Sequence, residues 1–171
     1  GNLSMAAGSG PSAYLTTVSA QDVDLTTSLR FDKAATATIY TSMVARRIGT
    51  SDYRVKVRSA STSTSLDLVR TVNGAETVLA SQVVPGFVMT PADTINLRLQ
   101  TVGNGTTTVR AKIWLNGATE PAGWSLTATD TTAALQNPGA VGFYSYLPGS
   151  ATNGGEQREA RDETAGDLRD D

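Results

Sequence analysis

The sequence contains neither cysteine nor histidine among its 171 residues. Without cysteine no disulfide framework can form. Without either residue type, a Cys/His zinc site, a thiol nucleophile and a Ser-His-Asp triad are all excluded. Catalysis would therefore have to use carboxylates, lysine, tyrosine or hydroxyl groups. Nothing in this set of residue types predicts a cofactor.

Long apolar runs and a strong excess of one charge are also missing. No stretch approaches the roughly 18 apolar residues that mark a membrane-spanning helix. The net charge of −2 is unevenly placed, since residues 154–171 hold seven acids and three arginines while residues 1–153 carry nine acids and eleven bases. Such a nearly neutral body lacks the basic excess of a nucleic-acid-binding domain. We therefore expect neither a membrane nor a nucleic acid as partner.

The stretch 154–171 is charged and poor in apolar residues. It has little surface to bury that would offset the entropy of ordering, so we predict a flexible tail there.

Strand-like alternation of apolar and polar residues runs through the rest of the chain. In "DYRVKVRS" a tyrosine and two valines alternate with cations, and the same two-residue period recurs in "DVDLTTSLRF", "TINLRLQ" and "TTVRAKIWL". Turn-forming stretches separate these runs, including the hairpin pair Asn73-Gly74. About ten short strands with almost no helical periodicity predict an all-β fold, an antiparallel two-sheet β-sandwich of the jelly-roll type over residues 1–153.

The apolar faces of these strands predict the core, and "DTTAALQ" at 130–136 predicts one short helical turn. We expect the following side chains to be buried between the two sheets: Val55, Val57, Ile95, Leu97, Leu99, Val109, Ile113 and Phe143.

The stretch "RAKIWLNGATEPAGWSLTATDTTAALQNPGAVGFYSYLPGSATN" resembles a bacterial subgroup of concanavalin A-like, laminin-G-like jelly-roll domains. The resemblance covers about residues 6–153 and marks the fold more specifically than the function. It is carried by "TATD", by "GAVGFYSYLPGSATN" and by these residues: Arg110, Lys112, Trp114, Gly117, Glu120, Pro121 and Trp124.

Such domains accompany secreted actinobacterial cell-surface and polysaccharide-processing proteins and the tail proteins of phages. The resemblance therefore implies a non-catalytic module with a glycan-binding or adhesive face, placed outside the cell, on the cell surface or on a virion tail. Family members usually have one further strand at each end, so we expect residues 1–153 to lack an N-terminal and a closing strand. The sheet edge left exposed would permit oligomers.

The carboxylates give little support for an enzyme. Asp22 and Asp24 share a strand face at a spacing of about 7 Å, whereas a retaining glycosidase pair stands about 5 Å apart. No third acid accompanies them, so a solvated face is the favoured interpretation and no catalytic residue is predicted. Calcium held by Asp22, Asp24 and Asp130 is a weaker alternative, because no loop has dense Asp/Asn spacing. No metal site is predicted.

The polar strand faces are the better lead to a ligand. If their strands share one sheet, their side chains form a basic face with one tryptophan, able to donate hydrogen bonds to sugar hydroxyls or to pair with anions. Two tyrosines in "GFYSYLPG" add aromatic surface. The candidate ligand-binding residues are Arg54, Lys56, Arg58, Arg98, Arg110, Lys112, Trp114, Tyr144 and Tyr146.

For Trp114, the favoured interpretation is packing against Trp124 and Pro121, so that the two tryptophans hold the loop 116–123 in place. For the cations, the alternative is an ordinary solvated face whose aliphatic stems cover the sheet.

The favoured function is non-catalytic binding of a polysaccharide or cell-surface glycan. The second hypothesis is a structural spacer or oligomerisation domain without a ligand of its own. A glycoside hydrolase or polysaccharide lyase is a third and less favoured interpretation.

Overall fold

A computed structural model describes residues 1–153, and the predicted tail at 154–171 lies outside the described residues. The described chain forms ten strands and one 3₁₀ turn, Ala133–Leu135. In chain order the strands are β1 (Ser12–Ala20), β2 (Val23–Leu29), β3 (Ile39–Ile48), β4 (Ser51–Ser59), β5 (Thr64–Val72), β6 (Ala75–Val83), β7 (Ile95–Val102), β8 (Thr107–Leu115), β9 (Leu126–Asp130) and β10 (Gly139–Tyr146).

The strands form two antiparallel sheets, which confirms the predicted β-sandwich. The larger sheet has six strands in the order β1-β10-β3-β4-β5-β6, and the smaller has four in the order β2-β7-β8-β9. Strands β3 to β6 follow one another as hairpins. The turn Asn73-Gly74 joins β5 to β6 with positive φ at both residues, as a type I′ turn requires.

The core lies between the two sheets and contains the side chains predicted for it. Val55 and Val57 of the larger sheet are fully buried, as are Leu97 and Leu99 of the smaller one. Phe143 is half-buried and packs against this core rather than inside it. The short helical turn predicted within 130–136 is confirmed as well.

Strands β1 and β6 are the edges of the six-stranded sheet. Both carry exposed apolar side chains, including Leu15 and Val83, each 60% exposed. Association through an edge stays a prediction, as does the expectation of further strands at either end. No helix among the described residues is long and apolar enough to span a membrane.

Candidate functional site

The expectation of one shared basic face is wrong, because its cations lie on two different sheets. Arg54, Lys56 and Arg58 belong to β4 of the six-stranded sheet. The other three candidates belong to the four-stranded sheet on the opposite side of the sandwich, on the strands β7 and β8: Arg98, Arg110 and Lys112. Alternation shows which side of a strand is polar, but it does not show which sheet contains the strand.

Most of these cations are also paired with carboxylates. Arg98 contacts Asp24 at 2.7 Å and Glu120 at 2.6 Å, and Lys112 contacts Glu120 at 2.7 Å. On the other sheet, Arg58 contacts Asp67 at 2.7 Å. Neither outer face therefore presents a row of free positive charge.

On the four-stranded sheet, the loop 116–123 folds back over the paired cations. Lys112 Nζ lies 4.9 Å from the Trp124 ring centroid and donates a hydrogen bond to the carbonyl of Pro121 at 2.7 Å. Trp124 therefore contacts the loop 116–123 through Lys112, whose ammonium group lies over the Trp124 ring and is hydrogen-bonded to Pro121. Trp114 is half-buried on the same outer face, next to Asn96 in the register, and its ring does not pair with Trp124 in residues 1–153.

The outer face of the six-stranded sheet holds an open depression of about 650 Å³. Four of the predicted residues line it: Arg54, Lys56, Tyr144 and Tyr146. Arg58 lies on the same face just outside it. The remaining lining comes from Ser12, Tyr14, Tyr40, Arg47, Thr50, Gly74, Glu76 and Pro148. We call this surface the tyrosine depression.

A β-bulge turns Arg47 into the tyrosine depression. Between their paired positions, β3 has Ala45 and Arg46 where β10 has Val141 alone. Arg46 adopts a positive φ of 51° and its side chain is fully buried, so the next residue, Arg47, emerges on the outer face. Gly139 leaves room for the bulge, since a Cβ there would lie 2.6 Å from the Arg46 backbone carbonyl carbon.

A second strand glycine seats Tyr14. A Cβ on Gly142 would lie 2.6 Å from Tyr14 Cδ1, so the ring occupies the space that a side chain would fill. The guanidinium carbon of Arg47 lies 4.1 Å from the Tyr14 ring centroid. Tyr14 is thus fixed between neighbouring strands and forms part of the wall. Two glycines inside "GAVGFYSY" were a sequence signal of such a close approach.

An alternating chain of charges crosses the floor. Asp52 is fully buried and accepts hydrogen bonds from Arg47 at 2.9 Å and from Arg54 at 2.5 and 3.0 Å. Arg54 also donates to Glu76 at 3.0 Å, and Lys56 contacts the other oxygen of Glu76. Burial lowers the pKa of Arg54, but the hydrogen bond and charge of Asp52 outweigh it and raise that pKa above its ordinary value.

The tyrosines differ in how much of each ring is free. Arg54 lies 5.1 Å from the Tyr144 ring centroid, so Tyr144, like Tyr14, has a cation beside it. Tyr40 and Tyr146 instead face each other at 6.1 Å with an interplanar angle of 43°, and Tyr146 is 36% exposed. These two rings are the aromatic surface that remains available.

The aspartates considered for catalysis or calcium are engaged separately. Asp22 accepts a hydrogen bond from the Gly103 amide at 2.9 Å, and Asp24 is bound to Arg98. Asp130 accepts from Tyr53 at 2.8 Å and from Arg70 at 2.9 Å. Within residues 1–153, no three acidic residues are grouped closely enough to hold a metal ion.

No family model matches the sequence, and no curated protein matches it. Among solved structures, the chain is similar to the carbohydrate-binding module CBM66 from Bacillus subtilis, with a TM-score of 0.55 and 14% sequence identity. The similarity covers 78% of this chain and 73% of that module. At this level of identity it shows a shared fold, so the chain has a β-sandwich fold that a carbohydrate-binding module also has.

Proposed function

We propose that this chain is a non-catalytic carbohydrate-binding domain that holds a polysaccharide in the tyrosine depression. The observation that carries the proposal is the pair of facing rings, Tyr40 and Tyr146, beside a set of ion-paired, hydrogen-bonding side chains. Aromatic faces pack against the apolar faces of sugar rings, while polar groups around them fix the orientation of the ligand.

A binding role suits the carboxylates of this site better than a catalytic role. Asp52 and Glu76 are both engaged with Arg54, and Asp52 is also engaged with Arg47. A general acid or a nucleophile needs a carboxyl oxygen that can reach the substrate. The buried, doubly bound Asp52 offers none.

The support for the finer identity and for the location is the resemblance of the sequence. Similarity to the concanavalin A-like, laminin-G-like subgroup of secreted bacterial and phage tail proteins supports an extracellular, cell-surface or virion location. The fold of the carbohydrate-binding module is consistent with this proposal. The ligand would then be a bacterial surface glycan or a polysaccharide in the surroundings.

Affinity electrophoresis through gels containing single polysaccharides, followed by calorimetry, tests the proposal. We expect wild type to bind at least one of them with a Kd in the micromolar to millimolar range, roughly −4 to −8 kcal/mol. The double variant Tyr40→Ala/Tyr146→Ala should lose at least about tenfold in affinity, since each ring contributes on the order of 1 kcal/mol.

The matched control is Trp114→Ala, which removes a half-buried aromatic residue from the opposite outer face. It should bind as tightly as wild type. Circular dichroism must show that both variants are folded. Equal loss in both variants, or unchanged binding by the double variant, would place the site elsewhere. Absence of binding to every polysaccharide by wild type would favour the spacer hypothesis.

A further inference from the structure

We propose that the tyrosine depression selects uncharged, hydroxyl-rich polysaccharide over acidic polysaccharide. This inference rests on the proposed function and names the class of ligand. It follows from separating the polar groups of the site into those already engaged within the protein and those still free to meet a ligand.

The charged groups are already engaged with one another. Three cations, Arg47, Arg54 and Lys56, and the carboxylate of Glu76 line the depression, and the carboxylate of Asp52 is buried beneath it. Each of the three cations contacts one of these two carboxylates. The local excess is therefore a single positive charge, and the neighbouring pair of Arg58 with Asp67 adds none.

The polar groups of the depression that make no hydrogen bond within the described residues, in contrast, are uncharged hydroxyls. Among the residues that the structure describes, Tyr53 is the tyrosine whose hydroxyl makes hydrogen bonds, and it lies in the core. The phenol oxygens of the depression are left to interact with a ligand: Tyr14, Tyr40, Tyr144 and Tyr146.

One further hydroxyl, that of the fully buried Ser42, lies beneath the residues that line the depression. Ser42 pairs with Tyr144 on one side and with Lys56 on the other, so its side chain points to the same outer face. Its Oγ atom is buried and has no hydrogen-bond partner in the described chain. A buried hydroxyl without a partner costs free energy, and a polar group that reaches it gains a hydrogen bond.

A sugar hydroxyl matches these free groups because it both donates and accepts hydrogen bonds. It can therefore contact a phenol oxygen, the exposed side of Glu76 or a remaining N–H of Lys56 without breaking an ion pair. An acidic sugar meets the site differently. Its carboxylate must compete with Asp52 and Glu76 for the same cations, and it must approach Glu76, whose side chain is 35% exposed. Like charges in close contact oppose binding.

The test uses polysaccharides in matched neutral and acidic forms: methyl-esterified and de-esterified homogalacturonan, dextran and carboxymethyl-dextran, hydroxyethyl-cellulose and carboxymethyl-cellulose. Binding of the full chain is measured by affinity electrophoresis and calorimetry. For the pairs that bind, we expect the neutral form to bind at least about fivefold tighter. Its Kd should change less than about twofold between roughly 0.05 and 0.5 M NaCl, because an uncharged ligand has no charge–charge attraction to the site that salt could screen.

The variant Glu76→Gln separates charge from shape, since it removes a carboxylate that stands partly exposed while keeping its size. It should raise the affinity for the acidic forms several-fold relative to the affinity for the neutral forms. Glu120→Gln is the matched control, because Glu120 is an equally exposed, doubly paired carboxylate on the other sheet. Glu120→Gln should change neither the affinity for the acidic forms nor the affinity for the neutral forms.

Tighter, salt-sensitive binding of the acidic forms would overturn the inference while leaving carbohydrate binding intact. Failure of Glu76→Gln to improve acidic binding would also count against it. If wild type binds neither member of any pair, and none of the polysaccharides in the wider gel series, then the proposed function itself fails.

Discussion

The guanidinium carbon of Arg47 lies 4.1 Å from the ring centroid of Tyr14. The two residues belong to strands β3 and β1, which are not neighbours, because β10 runs between them. The contact crosses β10 at Gly142, where the absence of a side chain lets Tyr14 lie against the sheet. The wall of the tyrosine depression therefore depends on a bulge in one strand and a glycine in another.

Replacing Gly142 by alanine should disturb this wall. The added Cβ would overlap both the Tyr14 ring and the Ala13 backbone, so either the ring leaves or β1 separates from β10. We expect a loss of about 1 to 3 kcal/mol in the free energy of unfolding, measured by urea denaturation, and weaker polysaccharide binding. A suitable control is Gly123→Ala, where a Cβ would meet open space. An unchanged urea midpoint for Gly142→Ala would show that the close approach is not needed.

Asp52 should be essential for the stability of the charged floor. It is fully buried and bound to both Arg47 and Arg54. Asp52→Asn removes the buried partner of Arg47 and Arg54 and leaves Glu76 as the remaining counter-charge of Arg54, so we expect a cost of about 3 kcal/mol, the low end for breaking a buried pair. Asp24→Asn removes an exposed partner of Arg98 and should cost less than about 1 kcal/mol. Comparable urea midpoints for the two variants would contradict this difference.

The assignment of inner faces can be checked on the smaller sheet. Leu97 is fully buried and Ile113 is 8% exposed, while Val102 on the same sheet is 42% exposed. Truncating Leu97 or Ile113 to alanine should lower the free energy of unfolding by about 2 to 5 kcal/mol. Val102→Ala should change it by less than about 0.5 kcal/mol. Thermal and urea denaturation of the three variants would decide the point.

Sequence patterns were sufficient for the sandwich because alternation records which face of each strand is buried. Val55 and Leu97 could both be assigned inward without knowing where their strands lie. The same pattern could not assign Lys56 and Lys112 to different sheets, since both look like polar residues on amphipathic strands. Sheet membership depends on pairing between distant segments, which a local period does not encode.

The same limit explains why two of the four tyrosines of the depression escaped prediction. Tyr144 and Tyr146 were found because they alternate within one short stretch. Tyr14 joins them only through pairing of β1 with β10, more than a hundred residues later in the chain. Tyr40 was not predicted because it lies in "ATIYTSMVA", a stretch that is apolar on both faces and indicates a central strand. In the structure it pairs directly with Tyr146. Most salt-bridge partners of the cations could not be predicted either, because they lie on another strand or on a loop; Asp52, two residues before Arg54 on β4, is the exception.

Tyr53 should make the fold sensitive to alkali. Its side chain is fully buried and donates a hydrogen bond to Asp130 at 2.8 Å. Burial, reinforced by that hydrogen bond, raises the pKa of Tyr53 from 10.0 to about 12. Because the folded-state pKa is the higher one, this stabilising contribution is complete below pH 10 and is lost as the pH rises through 12.

We expect the free energy of unfolding, measured by urea denaturation across this range, to fall more steeply for wild type than for Tyr53→Phe. The phenylalanine variant is less stable at neutral pH, because Asp130 loses a donor, but it lacks the ionising group. We therefore compare how steeply the free energy of unfolding falls with pH in the two proteins, and not its absolute value. The difference in stability at neutral pH then drops out, and so does the titration of the other tyrosines and the lysines, which both proteins share. Ionisation followed by absorbance should show one tyrosine fewer titrating at the alkaline end in the variant. Parallel slopes for the two proteins would mean that Tyr53 ionises as readily in the folded chain as in the unfolded one.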